Sequence, residues 1–152
     1  MRKIKVKTPA KINLTLKVLG KRSDGFHNID SIMQTINLFD YLTINIEKAD
    51  ETQILLSGTS DEIPYNEKNL VYKAAVKFLE TANIDDVKVS IFIEKNIPIA
   101  AGLAGGSTNA AGTFYALNKL FDNVLSKEKV ERLESDQEKM VLDLFDGKYI
   151  EG

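Results

Sequence analysis

Ile97-Pro98-Ile99-Ala100-Ala101-Gly102-Leu103-Ala104-Gly105-Gly106-Ser107-Thr108 is the stretch on which the reading of this chain turns. An apolar run, Val87 to Ile93, precedes it, and Ala110, Ala111, Phe114, Leu117 and Phe121 follow at three- and four-residue spacings. The pattern is strand, glycine-bearing loop, helix. Glycines let a backbone approach an anion closely, and the free N–H groups at a helix start point toward it. A helix opening at Ser107 places a partial positive charge beneath any phosphate lying in the loop, and the hydroxyls of Ser107 and Thr108 can cap the helix or reach a magnesium ion. The stretch is not a Walker A loop, because Gly106 runs directly into Ser107 with no lysine between them. Nor is it the dinucleotide fingerprint, whose first two glycines are separated by a single residue. Spacing alone leaves a plainer reading open, in which small residues merely let a helix pack close to a sheet.

Upstream, the chain reads as strands. Ile4 and Val6 alternate with Lys3, Lys5 and Lys7, and Ile12, Leu14, Leu16 and Val18 alternate with Lys11, Asn13, Thr15 and Lys17, with Pro9 separating the two runs. Ser23-Asp24-Gly25 is a turn cluster. Ile32 to Phe39 and Leu42 to Ile46 are two further runs, and Asp40-Tyr41 between them predicts a hairpin. Gln53 to Leu56 is a fifth candidate strand. From Leu70 the period changes: Leu70, Val71, Ala74, Ala75, Phe78 and Leu79 predict a helix with Asn69 as its N-cap. Downstream of the glycine stretch, Ser126 is a candidate N-cap for a last helix carrying Val130, Leu133, Met140, Val141, Leu144 and Phe145 along one face. Strands first, then helix, strand, helix, helix, predict an α+β domain with helices on one face of a mostly antiparallel sheet.

Length and composition bound the function. At 152 residues there is room for one ordinary domain. The apolar fraction of 43% and charged fraction of 28% exclude a disordered or fibrous chain. Glycines and a proline interrupt the longest uncharged run, Asn96 to Asn118, so it does not suit a spanning helix. The amino end lacks the apolar core of a secretory signal, and the absence of cysteine removes disulfides and thiolate zinc sites. A cytoplasmic protein is expected. The net charge of −2 is uneven, with residues 126–152 contributing −3, and no part has the basic excess of a dedicated nucleic-acid binder.

Two motifs in order, about seventy residues apart, carry a family resemblance. The glycine stretch, extended through Asn109 to Ala111, resembles the phosphate-binding motif of the GHMP kinases. Pro9-Ala10-Lys11-Ile12-Asn13-Leu14, followed by Leu19-Gly20-Lys21-Arg22-Ser23-Asp24-Gly25-Phe26-His27, is similar to the amino-terminal signature of the branch that acts on a cytidine-diphosphate-linked methylerythritol in non-mevalonate isoprenoid synthesis. Asn69-Leu-Val-Tyr-Lys-Ala-Ala75 also matches a helix of that family, and the similarity runs from roughly Lys5 to Ser126. The resemblance implies the amino-terminal domain of a GHMP kinase, with a fold like the second domain of ribosomal protein S5, using ATP and Mg2+ on a small-molecule substrate. By similarity, Pro98, Ala101, Gly102, Leu103, Ala104, Gly105, Gly106, Ser107 and Thr108 cradle the triphosphate, with Ser107 touching magnesium, and Asn69 and Lys95 line the adenosine side. Lys11 corresponds to the catalytic lysine, Asn13 to a residue orienting the substrate, and Phe26 and His27 to the cytidine corner, where the family often has Tyr in place of Phe26. By residue type alone, Lys11 is a solvated strand lysine, Phe26 a core ring, and His27 an exposed side chain after a turn.

The resemblance also carries expectations of difference. Members of the family are roughly twice this long, with a second domain and, beyond the position of Ser126, an aspartate proposed as the base for the substrate hydroxyl. The expectation is therefore an ATP-binding domain over residues 1–125 and a divergent, charged helical tail over 126–152, weak or inactive as a kinase on its own. Two other classes stay open. One is an RNA-binding module of the S5 type with Lys3, Lys5, Lys7, Lys11 and Lys17 as its basic face, disfavoured by the near-neutral charge. The other is an interaction protein that self-associates through the tail helix.

Overall fold

A computed structural model describes the backbone of residues 2–21, 27–98, 105–137 and 150–151, and the side chains of 2–10, 37–98, 106 and 108–133. Among the described residues, five strands and three helices follow in order: β1 (Arg2–Lys21), β2 (His27–Lys48), β3 (Gln53–Gly58), α1 (Leu70–Ala82), β4 (Val87–Glu94), α2 (Gly105–Leu120), α3 (Lys127–Gln137) and the two-residue β5 (Ile150–Glu151). The sheet order is β3-β4-β2-β1-β5. All pairings are antiparallel except β3 with β4, which run parallel because α1 carries the chain across between them. The α+β class and the mostly antiparallel sheet match the sequence expectation.

The strands are longer than their local patterns. Pro9 does not divide two strands: β1 runs through it, and a register shift between Pro9 and Ala10, opposite Phe39 and Ile36, absorbs the irregularity. Proline has no N–H for the ladder, so it is tolerated where pairing is already broken. The hairpin expected at Asp40-Tyr41 is likewise absent. There β2 continues, with Asp40 opposite Thr8 and Tyr41 opposite Lys7, and Lys21 pairs with His27 at the far end of the two strands.

Alternation gives the sheet one buried face. Ile4, Val6, Leu42, Ile44, Ile46, Val87, Val89, Ile91 and Ile93 point into the core, where they meet Val71, Ala74, Ala75, Phe78 and Leu79 of α1 and Ala110, Phe114, Ala116 and Leu117 of α2. The other face is polar at its centre, with the ammonium groups of Lys5 and Lys7 set 5.0 and 4.9 Å from the rings of Tyr41 and Phe39. At the edge strand, Gly58 leaves no room for a side chain, since a Cβ there would sit 2.5 Å from the Ile93 carbonyl oxygen and 2.7 Å from the Tyr65 hydroxyl.

Helix ends follow from local chemistry. Asn69 caps α1 as expected, its Oδ1 accepting from the Val71 N–H at 2.8 Å while its Nδ2 donates to the Pro64 carbonyl at 2.7 Å. Asn83 ends that helix in the left-handed region at φ 55°, with the Ile84 N–H closing back on Leu79 O. After α2, Asn118 fixes the turn into α3 by accepting from the Leu125 N–H and donating to the Leu125 carbonyl, and Ser126 caps α3 through the Lys129 N–H. Met140, Val141, Leu144 and Phe145 lie outside the described residues.

Candidate nucleotide site

The glycine stretch is flanked by β4 on one side and α2 on the other, and its two flanks are tied to one side chain. Where the pairing of β2 with β4 stops, at Tyr41 and Glu94, the fully buried carboxylate of Asp40 takes over from the ladder. Its Oδ1 accepts from the backbone N–H groups of Asn96 and Ile97 at 2.6 and 2.8 Å. Its Oδ2 accepts from Lys95 Nζ at 2.7 Å and from Asn109 Nδ2, in the second turn of α2, at 3.0 Å. Asn109 closes the set, donating also to Thr8 Oγ1 at 2.8 Å and accepting from Lys95 Nζ at 3.3 Å. Every buried side-chain polar atom among the described residues has a partner. A paired, fully hydrogen-bonded charge is the form in which an ion pair is tolerated inside a protein.

Helix α2 is placed by its apolar side. Ala110, Ala111, Phe114, Ala116 and Leu117 are buried, Thr108 is buried beside them, and the small residues at the amino end let that end sit low against α1. A Cβ on Gly106 would lie 3.4 Å from Leu70 Cδ1, so the starts of α1 and α2 are neighbours. Gly106 is exposed, and Ala104, the residue before the helix, offers no side-chain acceptor to its first N–H groups. Helix starts in general present N–H groups that an anion can meet, and Gly106 is an exposed position in this one.

The residues expected at the site divide into three groups. Gly105, Gly106, Ser107 and Thr108 form the first turn of α2; Pro98 is exposed at the end of the described β4 exit, and Asn69 caps the neighbouring helix. Lys95 is in the same neighbourhood, but its side chain is only 7% exposed and its ammonium is held by Asp40 and Asn109. Its charge serves the flank of the glycine stretch. Ala101, Gly102, Leu103, Ala104 and Phe26 lie outside the described residues. Lys11 and Asn13 lie on β1, opposite Thr35 and Met33, and His27 opens β2 opposite Lys21; their side chains also lie outside the described residues. Sequence reasoning missed Asp40 and Thr8, and it placed Asn109 in the glycine motif without a role. The signal for Asp40 was weak: a lone carboxylate in the otherwise uncharged run Ile32 to Ile46.

Comparison with known proteins bears on the family and the fold. A family model described as the GHMP kinases N terminal domain matches residues 69–143, a span that includes α1, β4, α2 and α3. A solved 4-(cytidine 5'-diphospho)-2C-methyl-D-erythritol kinase superposes with a TM-score of 0.64 at 32% identity, covering 88% of this chain and 45% of that one. The chain carries a GHMP kinase amino-terminal domain. Among curated relatives of this GHMP domain, the 4-diphosphocytidyl-2-C-methyl-D-erythritol kinase of Clostridioides difficile is 48% identical over 130 residues, 86% of this chain and 43% of the relative. That of Caldicellulosiruptor saccharolyticus is 50% identical over 128 residues, 84% and 43% respectively. The chain thus spans less than half the length of these relatives. A homoserine kinase from Cytophaga hutchinsonii, at 23% identity and a TM-score of 0.69, shares the GHMP fold.

Proposed function

We propose that this chain is the ATP-binding part of a kinase that phosphorylates the 2-hydroxyl of 4-diphosphocytidyl-2-C-methyl-D-erythritol. The observation that carries the reading is identity of 47–50% to kinases of that name along most of the chain. In the reaction, the alcohol oxygen attacks the γ-phosphorus of ATP, the bond from that phosphorus to the β-bridging oxygen breaks, ADP leaves, and the alcohol proton passes to a base. Phosphoryl transfer asks a protein mainly for position and charge. The N–H groups from Gly105 onward supply donors for the phosphates, and the small side chains allow close approach. Lys11 balances negative charge on the transferred group, Asn13 orients the alcohol, and Phe26 and His27 receive the pyrimidine by stacking and edge hydrogen bonding.

Among the described residues no cluster of three His, Asp or Glu side chains is assembled, so a magnesium ion fits here only as Mg2+ does in many phosphate sites, carried largely by the nucleotide with few protein contacts. Ser107 is the residue assigned to touch it, and the ion supplies neutralisation of phosphate charge. No helix among the described residues is long and apolar enough to cross a membrane.

A coupled ADP-release assay with the diphosphocytidyl substrate tests the reading. The 152 residues alone are expected to turn over weakly or not at all, because they span less than half of the relatives. A general base typically contributes about 10²–10⁴-fold. Turnover at the rate of a full-length relative would contradict the expected weakness. ADP release that is equally fast without the cytidyl substrate would contradict the assignment of substrate.

A further inference from the structure

We infer that Asp40 is a positioning residue for the nucleotide site, its single carboxylate fixing the distance between the two flanks of the glycine stretch and so the affinity for the triphosphate. The inference rests on the nucleotide-binding reading. Three observations lead to it. First, Asp40 receives four donors: two backbone N–H groups from the strand exit, the Lys95 ammonium, and the Asn109 carboxamide on α2. A carboxylate has about four lone-pair sites, so this one is saturated and has no capacity left to act as a base or a metal ligand. Second, its donors lie on both sides of the glycine stretch, at residues 95–97 before it and at residue 109 after it, 55 to 69 positions away along the chain. Third, Asp40 stands on the central strand β2 and its neighbour across the sheet, Thr8, holds Asn109 from the other side. The anchor therefore sits on the middle strand of the sheet, just beyond the end of the β2–β4 ladder. A phosphate cradle needs its N–H groups preorganised, and a displacement of about 1 Å can cost of the order of 10²-fold.

Two substitutions separate the hydrogen-bond clamp from the charge. Asp40→Asn keeps an oxygen that accepts from Asn96 and Ile97 and loses the ion pair; Asp40→Leu loses both. Both leave Lys95 without its counter-charge, so they share that cost. The measurements are thermal midpoint, amide exchange at Asn96 and Ile97, and titration of the chain with magnesium and a non-hydrolysable ATP analogue. For Asp40→Leu we expect faster exchange at both amides and binding weaker by at least about tenfold, with Asp40→Asn recovering part of each. Equal affinity in Asp40→Leu and the parent chain overturns the inference, as does equal loss in Asn and Leu variants of equal thermal midpoint. If Asp40→Leu does not fold, Asn109→Ala cuts only the α2 side of the clamp. Weaker binding by a folded Asn109→Ala supports the inference, and unchanged binding overturns it. Failure of the nucleotide reading looks different: the parent chain then binds no analogue, and the positioning role falls with it, while protected amides at Asn96 and Ile97 would still report an intact clamp.

Discussion

The starts of α1 and α2 lie side by side and solve the same problem in opposite ways. A helix begins with N–H groups that have no partner in the helix itself. Helix α1 meets the need internally, with the Asn69 side chain on the Val71 N–H and anchored in turn to Pro64. Helix α2 opens on Gly105-Gly106 after an alanine, residues that bring no acceptor of their own. The packing of the two is otherwise alike: Phe78 on α1 and Phe114 on α2 are both fully buried in one core. What differs is where polar order is invested. In α1 it is at the cap; in α2 it is below the start, in the buried set of Asp40, Lys95, Asn109 and Thr8. A helix capped by its own asparagine is complete as a structural part, whereas a glycine start above a buried polar base is the arrangement the proposed nucleotide site uses.

The contrast between the two helices is most exposed to substitution in their shared core. Phe78→Ala and Phe114→Ala should each lower stability by about 3–5 kcal/mol, read from denaturant midpoints. A much smaller loss at Phe114 would show that α2 is not held by its apolar face. Lys95→Met leaves a buried carboxylate without its counter-charge and should cost about 3–5 kcal/mol, judged by the same titration. A loss under about 1 kcal/mol, the scale of a surface pair, would mean the pair is effectively solvated. Asn69→Ala should cost about 1 kcal/mol through loss of the α1 cap, with circular dichroism reporting the melt. The smallest expected change in stability is also the most informative. Gly106→Ala has room, since the new Cβ lies 3.4 Å from a flexible leucine methyl, and exchanging glycine for alanine in a helix contributes about 0.5–1 kcal/mol. The variant should melt at or above the parent temperature and yet bind nucleotide more weakly. Gain or preservation of both would argue against close approach of a ligand at α2.

How much of this was legible in the sequence depends on the range of the interactions. Among the described residues, α1 with its cap at Asn69 and the start of α3 at Ser126 were legible, because spacing and capping are local, while α2 begins at Gly105, two residues before the expected Ser107. Strand continuity was not. Pro9 and Asp40-Tyr41 carry the local marks of a break, and what overrides them is pairing between β1 and β2 and, for Asp40, donors 55 or more residues away. The glycine stretch stood out as a candidate cradle from its own residues. The base beneath it did not, since nothing near Asp40 in the chain signals that Lys95 and Asn109 will converge on it. Lys95 was picked out as a site residue through family resemblance, but the resemblance did not disclose that its ammonium faces inward onto Asp40.

Whether the start of α2 receives the phosphates is tested most directly by an amide-resolved titration of the chain with magnesium and a non-hydrolysable ATP analogue. Saturable shifts are expected, largest at the Gly105, Gly106, Ser107 and Thr108 amides, with the amides of the capped α1 start beyond Val71 moving little. No saturable shift at millimolar analogue, or shifts centred away from the start of α2, would contradict a nucleotide site there.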